Sequence, residues 1–218
     1  MSDSWKEEKM TAQIGDGFTY QGKSYAIVAL SENRKLFDPE EYGLHPDSIE
    51  TSCWNGYWCE FEISDALYLQ KLSIHCDDGN YPDICGRSVG KQSGSGYEQA
   101  VAASYRFGNS GYQFYENMNL KISYTGKILV GSGFIRKYYI HMGYQRAYAY
   151  EKLLEFEFED GNLKNTSDLS DKAEEYRKKI ENTNVNDLEH RSNIPLFIHR
   201  SFSLSYDDKA WWNNENKE

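Results

Sequence analysis

The strongest constraint on the fold is an alternation of apolar and charged residues that begins at Tyr57. In "YWCEFEI" (57–63) every second side chain is apolar, and alternate side chains of a strand point to the same face of a sheet. Only three residues separate this run from "LYLQKLSIHC" (67–76), so the two predict an antiparallel hairpin. The apolar phase shifts between Leu69 and Leu72, which predicts a bulge.

Other segments follow the same extended pattern. Residues 17–30 predict two strands joined by a turn at Gln21-Gly22. Aromatic content agrees, since 18 Tyr, 10 Phe and 5 Trp favour pleated, half-buried surfaces. Further strands are predicted at 118–124, 127–134, 136–142, 147–158 and 195–206.

One segment has the periodicity of a packed helix. Within 169–182, Leu169, Ala173, Tyr176 and Ile180 fall on one helical face. The sequence therefore predicts a mainly β protein of the α+β type. We expect a curled antiparallel sheet or partial barrel with one packed C-terminal helix.

The length of 218 residues is typical of one domain with one core. We place this β-rich domain at 13–206, with a glycine-rich insertion at about 77–97 and a short helix at 98–107. Residues 1–12 and 207–218 are predicted to be flexible tails.

The charge balance narrows the choice of partners. With 24 basic and 34 acidic residues the net charge is −10, which repels phosphate backbones and suits a basic protein partner. No nucleic-acid binding is expected. Without a signal peptide or an apolar run long enough to span a bilayer, the sequence predicts a cytoplasmic protein with no membrane association.

Cofactor and metal chemistry are not expected from the sequence. The four cysteines are spaced C-x5-C and C-x8-C, unlike the C-x2-C pairs of structural zinc sites, and are predicted to be free thiols. No nucleotide-binding or hydrolase motif is present in full.

Three residues are weak catalytic candidates. His141 lies in a tyrosine-rich run, and His75 is followed by Cys76 at the start of the insertion. An imidazole beside a thiol can activate it as a nucleophile. Histidines that are hydrogen-bonded within a sheet are much commoner, so catalysis is the less favoured interpretation.

Two longer stretches carry a resemblance. "CWNGYWCEFEISDALYLQKL" (53–72) and "YTGKILVGSGFIRKYYIHMGYQRAYAYEKLLEFEFEDGNL" (124–163) resemble a family of uncharacterised bacterial proteins with W-x-G-Y and Y-[IV]-H-M-G-Y motifs. The resemblance covers roughly residues 15–165 and implies a shared fold. The family has no established activity; its members are similar to small accessory proteins, which by analogy suggests toxin neutralisation. The match is carried by Trp54, Gly56, Tyr57, Glu62, Leu67, Tyr68, Leu69, Gly126, His141, Met142, Gly143 and Tyr144.

Several of these motif residues are candidates for ligand binding. If the sheet curls into a half-barrel, its mouth would be lined by Trp54, Tyr57, Tyr68, His141 and Tyr144. Packing within the sheet is the competing interpretation. Among the glycines of the motifs, those at 56 and 143 are expected to permit backbone conformations or close approaches that a side chain would block.

Three functional classes remain open. The first is a non-enzymatic protein-binding module, such as an immunity-type inhibitor that presents Glu155, Glu157 and Glu159 to a basic toxin. Like charges on one strand face repel, so this face is expected to lie in water. The alternatives are a small-molecule binder with an aromatic-lined pocket and a hydrolase-like enzyme that uses His141.

Overall fold

One sheet dominates the computed structural model, which describes residues 12–31, 35–90, 111–182 and 199–209. Within these ranges its strands are β1 (Gly17–Tyr20), β2 (Lys23–Leu30), β3 (Tyr57–Ile63), β4 (Leu67–Ile74), β5 (Gln113–Tyr115), β6 (Leu120–Lys121), β7 (Gly126–Phe134), β8 (Tyr150–Glu159) and β9 (Asn162–Asp168). The helices are α1 (Ser170–Lys179) and α2 (Tyr206–Lys209), with 3-10 turns at Pro39–Tyr42, Arg136–Tyr138 and Ala147–Ala149.

The strand order is β5-β4-β3-β1-β2-β7-β8-β9, with β6 also paired to β4. The pairing is antiparallel except between β1 and β3, which run parallel. The prediction of a mainly β protein with an antiparallel sheet is confirmed.

The predicted hairpin between β3 and β4 is confirmed in its details. Tyr57 pairs with Ile74, and the register shifts where Glu60 pairs with Lys71 and the next residue pairs with Leu69. Gln70 is therefore the extra residue of a bulge, inside the interval that the apolar phase shift indicates.

The turn between β1 and β2 also forms where the sequence predicts it. Gln21 and Gly22 have φ values of 50° and 72°, so β1 and β2 are joined by two residues in the left-handed region. Such turns match the twist of paired strands. Asp160 and Gly161 repeat this arrangement between β8 and β9, with φ values of 48° and 74°.

The sheet is strongly curled. Phe18 in β1 and Phe156 in β8 are three strand positions apart, a separation of about 14 Å in a flat sheet. Their ring centroids are only 5.2 Å apart. The amide of Leu67 donates to the carbonyl of Gly161 at 2.8 Å, which links the β3–β4 turn to the β8–β9 turn. The sheet does not close by strand pairing, so the predicted partial barrel is confirmed.

The curl gives the sheet two differently covered faces. Its inner face holds the largest apolar cluster, which includes Phe18, Phe61 and Phe156. On the outer face, Ala173 of α1 and the following Ile180 pack in a second cluster with sheet residues. The predicted helix at 169–182 is therefore confirmed as the packed C-terminal helix.

Two predicted strands are wrong. Residues 118–124 do not pair with 127–134; only β6 is extended there, because Asn119 beside it has a φ of 47°. Residues 136–142 form a 3-10 turn and irregular backbone. The side chain of Gln145 hydrogen-bonds both the amide and the carbonyl of Ile140, at 2.9 Å each, in place of a neighbouring strand.

The two chain ends also differ from prediction. Ala12 is buried and bridges to Gly143, although it was predicted to belong to the flexible N-terminal tail. In the part of the predicted strand 195–206 that the structure describes, residues 199–202 are helical and Ser205 alone forms a β-bridge. The predicted tail from 207 begins inside α2, where Lys209 is fully buried. The predicted helix at 98–107 and residues 91–97 of the insertion lie outside the described residues.

Gly143 stands where three distant chain segments meet. Its carbonyl accepts the amide of Gln13 at 2.9 Å, and the next amide, of Tyr144, donates to the carbonyl of Ser201 at 2.8 Å. Gly143 has a φ of 73°, and a Cβ there would lie 2.1 Å from the oxygen of Ser201. Gly56 is similar, with a φ of 73° and an added Cβ 2.5 Å from a backbone oxygen of Asp47. The expectation for both motif glycines is confirmed.

We predict that Gly143→Ala is much more destabilising than Gly79→Ala. Both glycines have positive φ, but an added Cβ at Gly79 meets no atom within 4 Å. The unfolding free energy of the control, Gly79→Ala, should fall by about 1 kcal/mol from backbone strain alone. That of Gly143→Ala should fall by about 3 kcal/mol or more, because the backbones at Gly143 and Ser201 must also separate. Urea denaturation measures both losses; equal losses would contradict the close approach.

Candidate functional site

A cavity of about 290 Å³ lies where the residues before β1, the end of β2 and the start of β3 meet the C-terminal segment 202–204. About half of its lining is apolar and half polar. The apolar residues are Ile14, Leu30, Leu36, Phe37, Phe202 and Leu204, and the polar residues are Asp16, Lys35, Asn55, Tyr57, Tyr144 and Ser203.

Asp16 is fixed by both of its neighbouring strands. Its carbonyl accepts the amide of Ile27 in β2 at 2.8 Å, and its Oδ1 accepts the amide of Cys59 in β3 at 2.8 Å. Burial raises the pKa of this carboxyl to about 6, although the Cys59 hydrogen bond opposes the rise. The cavity therefore contains a carboxylate that titrates near neutral pH.

The other titratable groups around Asp16 keep their protons. Burial raises the pKa of the Cys53 thiol to about 12 and raises the pKa of the Cys59 thiol well above its ordinary value. The pKa values of the Tyr57 and Tyr144 hydroxyls are also raised, mainly by burial. Between pH 4 and 8, Asp16 is thus the member of this group that changes charge.

The two tyrosines differ in what they can offer a ligand. The Tyr57 hydroxyl donates to the carbonyl of Phe37 at 3.3 Å. The Tyr144 hydroxyl accepts the side-chain amide of Asn55 at 3.2 Å, so its own proton can be donated into the cavity.

Aromatic and charged side chains surround the cavity entrance. Trp54 is 49% exposed and stacks on Phe202, with ring centroids 4.3 Å apart and planes 9° apart. Lys35 is exposed, and its Nζ lies 5.7 Å from the centroid of the Tyr57 ring. A stacked aromatic pair and the Lys35 cation therefore both lie at this site.

Three of the five predicted ligand-binding residues come together here. Tyr57 and Tyr144 line the cavity, and Trp54 stacks on a lining residue. Tyr68 pairs with Glu62, about 17 Å along β3 from Tyr57, so it belongs to the other end of the hairpin. His141 is exposed beside Tyr139, with ring centroids 5.2 Å apart, and is not among the cavity-lining residues.

The geometry around His75 does not match an activated cysteine. Nδ1 of His75 lies 3.0 Å from the carbonyl oxygen of Gly111, and Nε2 lies 2.9 Å from a carboxylate oxygen of Asp77. Two acceptors favour the imidazolium, and the pKa of His75 is raised, first by Gly111 and then by Asp77. The Cys76 thiol is buried, which raises its pKa. Both ring nitrogens of His75 thus face oxygen atoms, and Cys76 is not a thiolate at neutral pH.

The predicted acidic face of β8 is partly neutralised. Glu155 is half-buried and accepts hydrogen bonds from Lys127, at 2.9 Å, and from the hydroxyl of Tyr206. Glu159 forms a 2.6 Å ion pair with Lys164, while Glu157 is exposed. The expectation that all three lie freely in water is wrong for Glu155, because flanking elements supply a cation and a hydroxyl.

Sequence reasoning missed most of the polar cavity lining. Asp16, Lys35 and Asn55 were not predicted, nor was the C-terminal wall formed by residues 202–204. One signal was available: Asp16 lies between Gly15 and Gly17 immediately before an apolar strand. A carboxylate in such a setting indicates close backbone approach around a polar group.

A wider groove of about 710 Å³ adjoins the cavity and shares Lys35, Leu36 and Phe37 with it. Its remaining lining is mostly polar and includes Glu41 and Lys121. We favour the smaller cavity as the site because it combines a desolvated carboxylate with aromatic walls.

Neither a metal site nor a membrane span is found in the described ranges. No group of three or more His, Cys, Asp and Glu side chains there could hold a metal ion. Among the same residues, no helix has the length and apolar character needed to cross a bilayer.

Comparison of the chain with models of protein families, with curated proteins and with solved structures gave no match. Function must therefore be inferred from the geometry of the site.

We predict that Asp16→Asn removes a pH dependence of stability. The pKa of about 6 exceeds the ordinary 3.8, so wild-type stability is fullest below pH 4 and falls as the pH rises to about 6. The asparagine side chain can still accept the Cys59 amide but cannot ionise. As the pH rises from 4 to 7.5, the unfolding free energy of the variant should therefore increase by about 1–3 kcal/mol relative to that of the wild type.

Urea unfolding of both proteins at the two pH values measures this change. Other carboxyl groups titrate in both proteins and cancel in the difference. A difference in unfolding free energy that stays constant with pH would show that Asp16 is not desolvated.

Proposed function

We propose that the protein is a non-catalytic binder of a small molecule, which it holds in the cavity between Asp16, Tyr57 and Tyr144. The observation that carries this proposal is the carboxylate of Asp16, desolvated among the apolar and aromatic walls of the cavity. An ionised carboxylate in such a place destabilises the fold unless something compensates it. A bound ligand supplies that compensation.

The cavity has the size and composition of a ligand site. Its volume of about 290 Å³ is at the small end of the usual range for ligand pockets, about 300–1,000 Å³. Aromatic and aliphatic walls with a few convergent polar groups are typical of such sites.

The walls are held rigidly in place, which favours binding. The buried amine of Lys209 donates to the carbonyls of Tyr144 at 3.2 Å, Arg200 at 3.0 Å and Ser201 at 3.2 Å. The amide of Leu30 donates to the carbonyl of Leu204 at 2.8 Å. Because these bonds are made within the protein itself, little conformational entropy is lost when a ligand binds.

The other two functional classes have less support. The ion pairs of Glu155 and Glu159 reduce the free acidic surface on which an immunity-type inhibitor would depend, and that role stays a prediction. A hydrolase based on His141 would need the histidine beside a substrate pocket, whereas its side chain is exposed outside the cavity lining.

We predict that Leu204→Trp abolishes small-molecule binding by filling the cavity. The matched control is Ile49→Trp, at a residue that is 43% exposed and does not line the cavity. A library of small metabolites would be screened by thermal unfolding. A ligand at about 100 times its Kd should raise the unfolding free energy of the wild type and the control by about 2.7 kcal/mol, and their Tm by about 5–10 °C. It should leave Leu204→Trp unchanged.

Circular dichroism establishes that Leu204→Trp keeps the native secondary structure. If no compound stabilises the wild type, or if Leu204→Trp responds as strongly, the proposed function is wrong.

A further inference from the structure

Two opposite charges line the same small cavity. Asp16 is half-buried and shares the lining with the buried Ile14 and Leu30, whereas Lys35 is exposed. Tyr57 lies near both: its ring centroid is 5.7 Å from the Lys35 amine, and the charge of Asp16 adds to the effect of burial in raising the pKa of its hydroxyl. The described lining of the cavity thus carries one carboxylate, Asp16, and one amine, Lys35; Asp38, whose charge also raises the Tyr57 pKa, lines the adjoining groove.

The Asp16 carboxylate is suited to a nitrogen donor. A carboxylate has about four acceptor positions, and the amide of Cys59 uses one of them at Oδ1. An ammonium group supplies three N–H donors and a compensating charge.

The Lys35 amine is suited to an anion. It provides a cation, and Asn55, an exposed residue whose side-chain amide already donates to Tyr144, also lines the cavity. A simple amine would be repelled by Lys35, and a simple carboxylate would be repelled by Asp16. A ligand that carries both charges can bind both Asp16 and Lys35.

We propose that the ligand is a free amino acid with an aliphatic side chain, whose ammonium group binds Asp16 and whose carboxylate binds Lys35. This inference rests on the proposed small-molecule binding function and specifies its ligand class. The aliphatic side chain packs against Leu30, Phe37 and Leu204, which supply the apolar part of the lining.

The proposed ion pair with Asp16 makes the affinity for the ligand depend on pH. Binding of an ammonium group requires ionised Asp16, whose pKa is about 6. The groups on which its charge acts are the thiols of Cys53 and Cys59 and the hydroxyls of Tyr57 and Tyr144; Lys35 lines the same cavity, and Asp38 acts on Tyr57. The thiols and hydroxyls keep their protons in this range, so affinity should rise about tenfold from pH 5 to pH 7.

The test is calorimetric titration with three matched probes. Leucine carries both charges, isoamylamine lacks the carboxylate, and 4-methylpentanoate lacks the amine. Leucine should bind at least about tenfold more tightly than either analogue, since each loses one charge pair. A thermal-shift screen of the twenty standard amino acids extends the test to side chains other than that of leucine.

Substitutions of Asp16 and Lys35 test which charged group of the ligand each residue binds. Asp16→Asn should weaken leucine at least about tenfold and spare 4-methylpentanoate, whereas Lys35→Met should weaken leucine and spare isoamylamine. Lys121→Met is the matched control, because Lys121 is an exposed lysine that lines the neighbouring groove and not this cavity. It should bind leucine as the wild type does.

The outcomes separate this inference from the proposed function. If no amino acid binds while other library compounds stabilise wild type and not Leu204→Trp, the ligand class is wrong and the binding function stands. If no compound of either set binds, both are wrong. Equal affinity of leucine for wild type and Asp16→Asn, or no change between pH 5 and pH 7, would overturn the assignment of the ammonium group to Asp16.

Discussion

The whole sheet depends on one short strand that is paired on both edges. β1 has only four residues, yet it joins the β5-β4-β3 half of the sheet to the β2-β7-β8-β9 half. Asp16 continues this seam by one residue: its main-chain carbonyl bonds to β2 and its side chain bonds to β3. A carboxylate oxygen thus takes the place of a backbone acceptor, which explains how a charged group comes to lie at the junction of two half-sheets.

The sequence was informative where contacts are local. The β3–β4 hairpin and its bulge could be read from alternation alone, and the β1–β2 turn from Gln21-Gly22, because strand period and turn chemistry act over a few residues. The parallel pairing of β1 with β3 joins segments about 40 residues apart in the chain, and no local pattern specifies it. β9 escaped prediction because "NLKNTSD" is polar and lies at the sheet edge, where no apolar alternation is required.

The candidate site was only partly predictable for the same reason. Tyr57 and Tyr144 could be singled out as amphipathic aromatics, but nothing in the sequence showed that they share a cavity. The cavity is assembled from segments separated by more than 180 positions, from Ile14 to Leu204. His141 lies close to Tyr144 in sequence but is exposed, since irregular backbone between residues 139 and 146 replaces the strand that alternation implied.

The buried amine of Lys209 has a consequence for which parts of the chain each feature requires. Strands β1 to β9 end at residue 168, so the curled sheet needs no later part of the chain. The cavity does, because its wall at residues 202–204 is attached through Lys209 to the carbonyls of Tyr144 and Ser201. Loss of the Lys209 contacts would therefore open the cavity and leave the sheet in place.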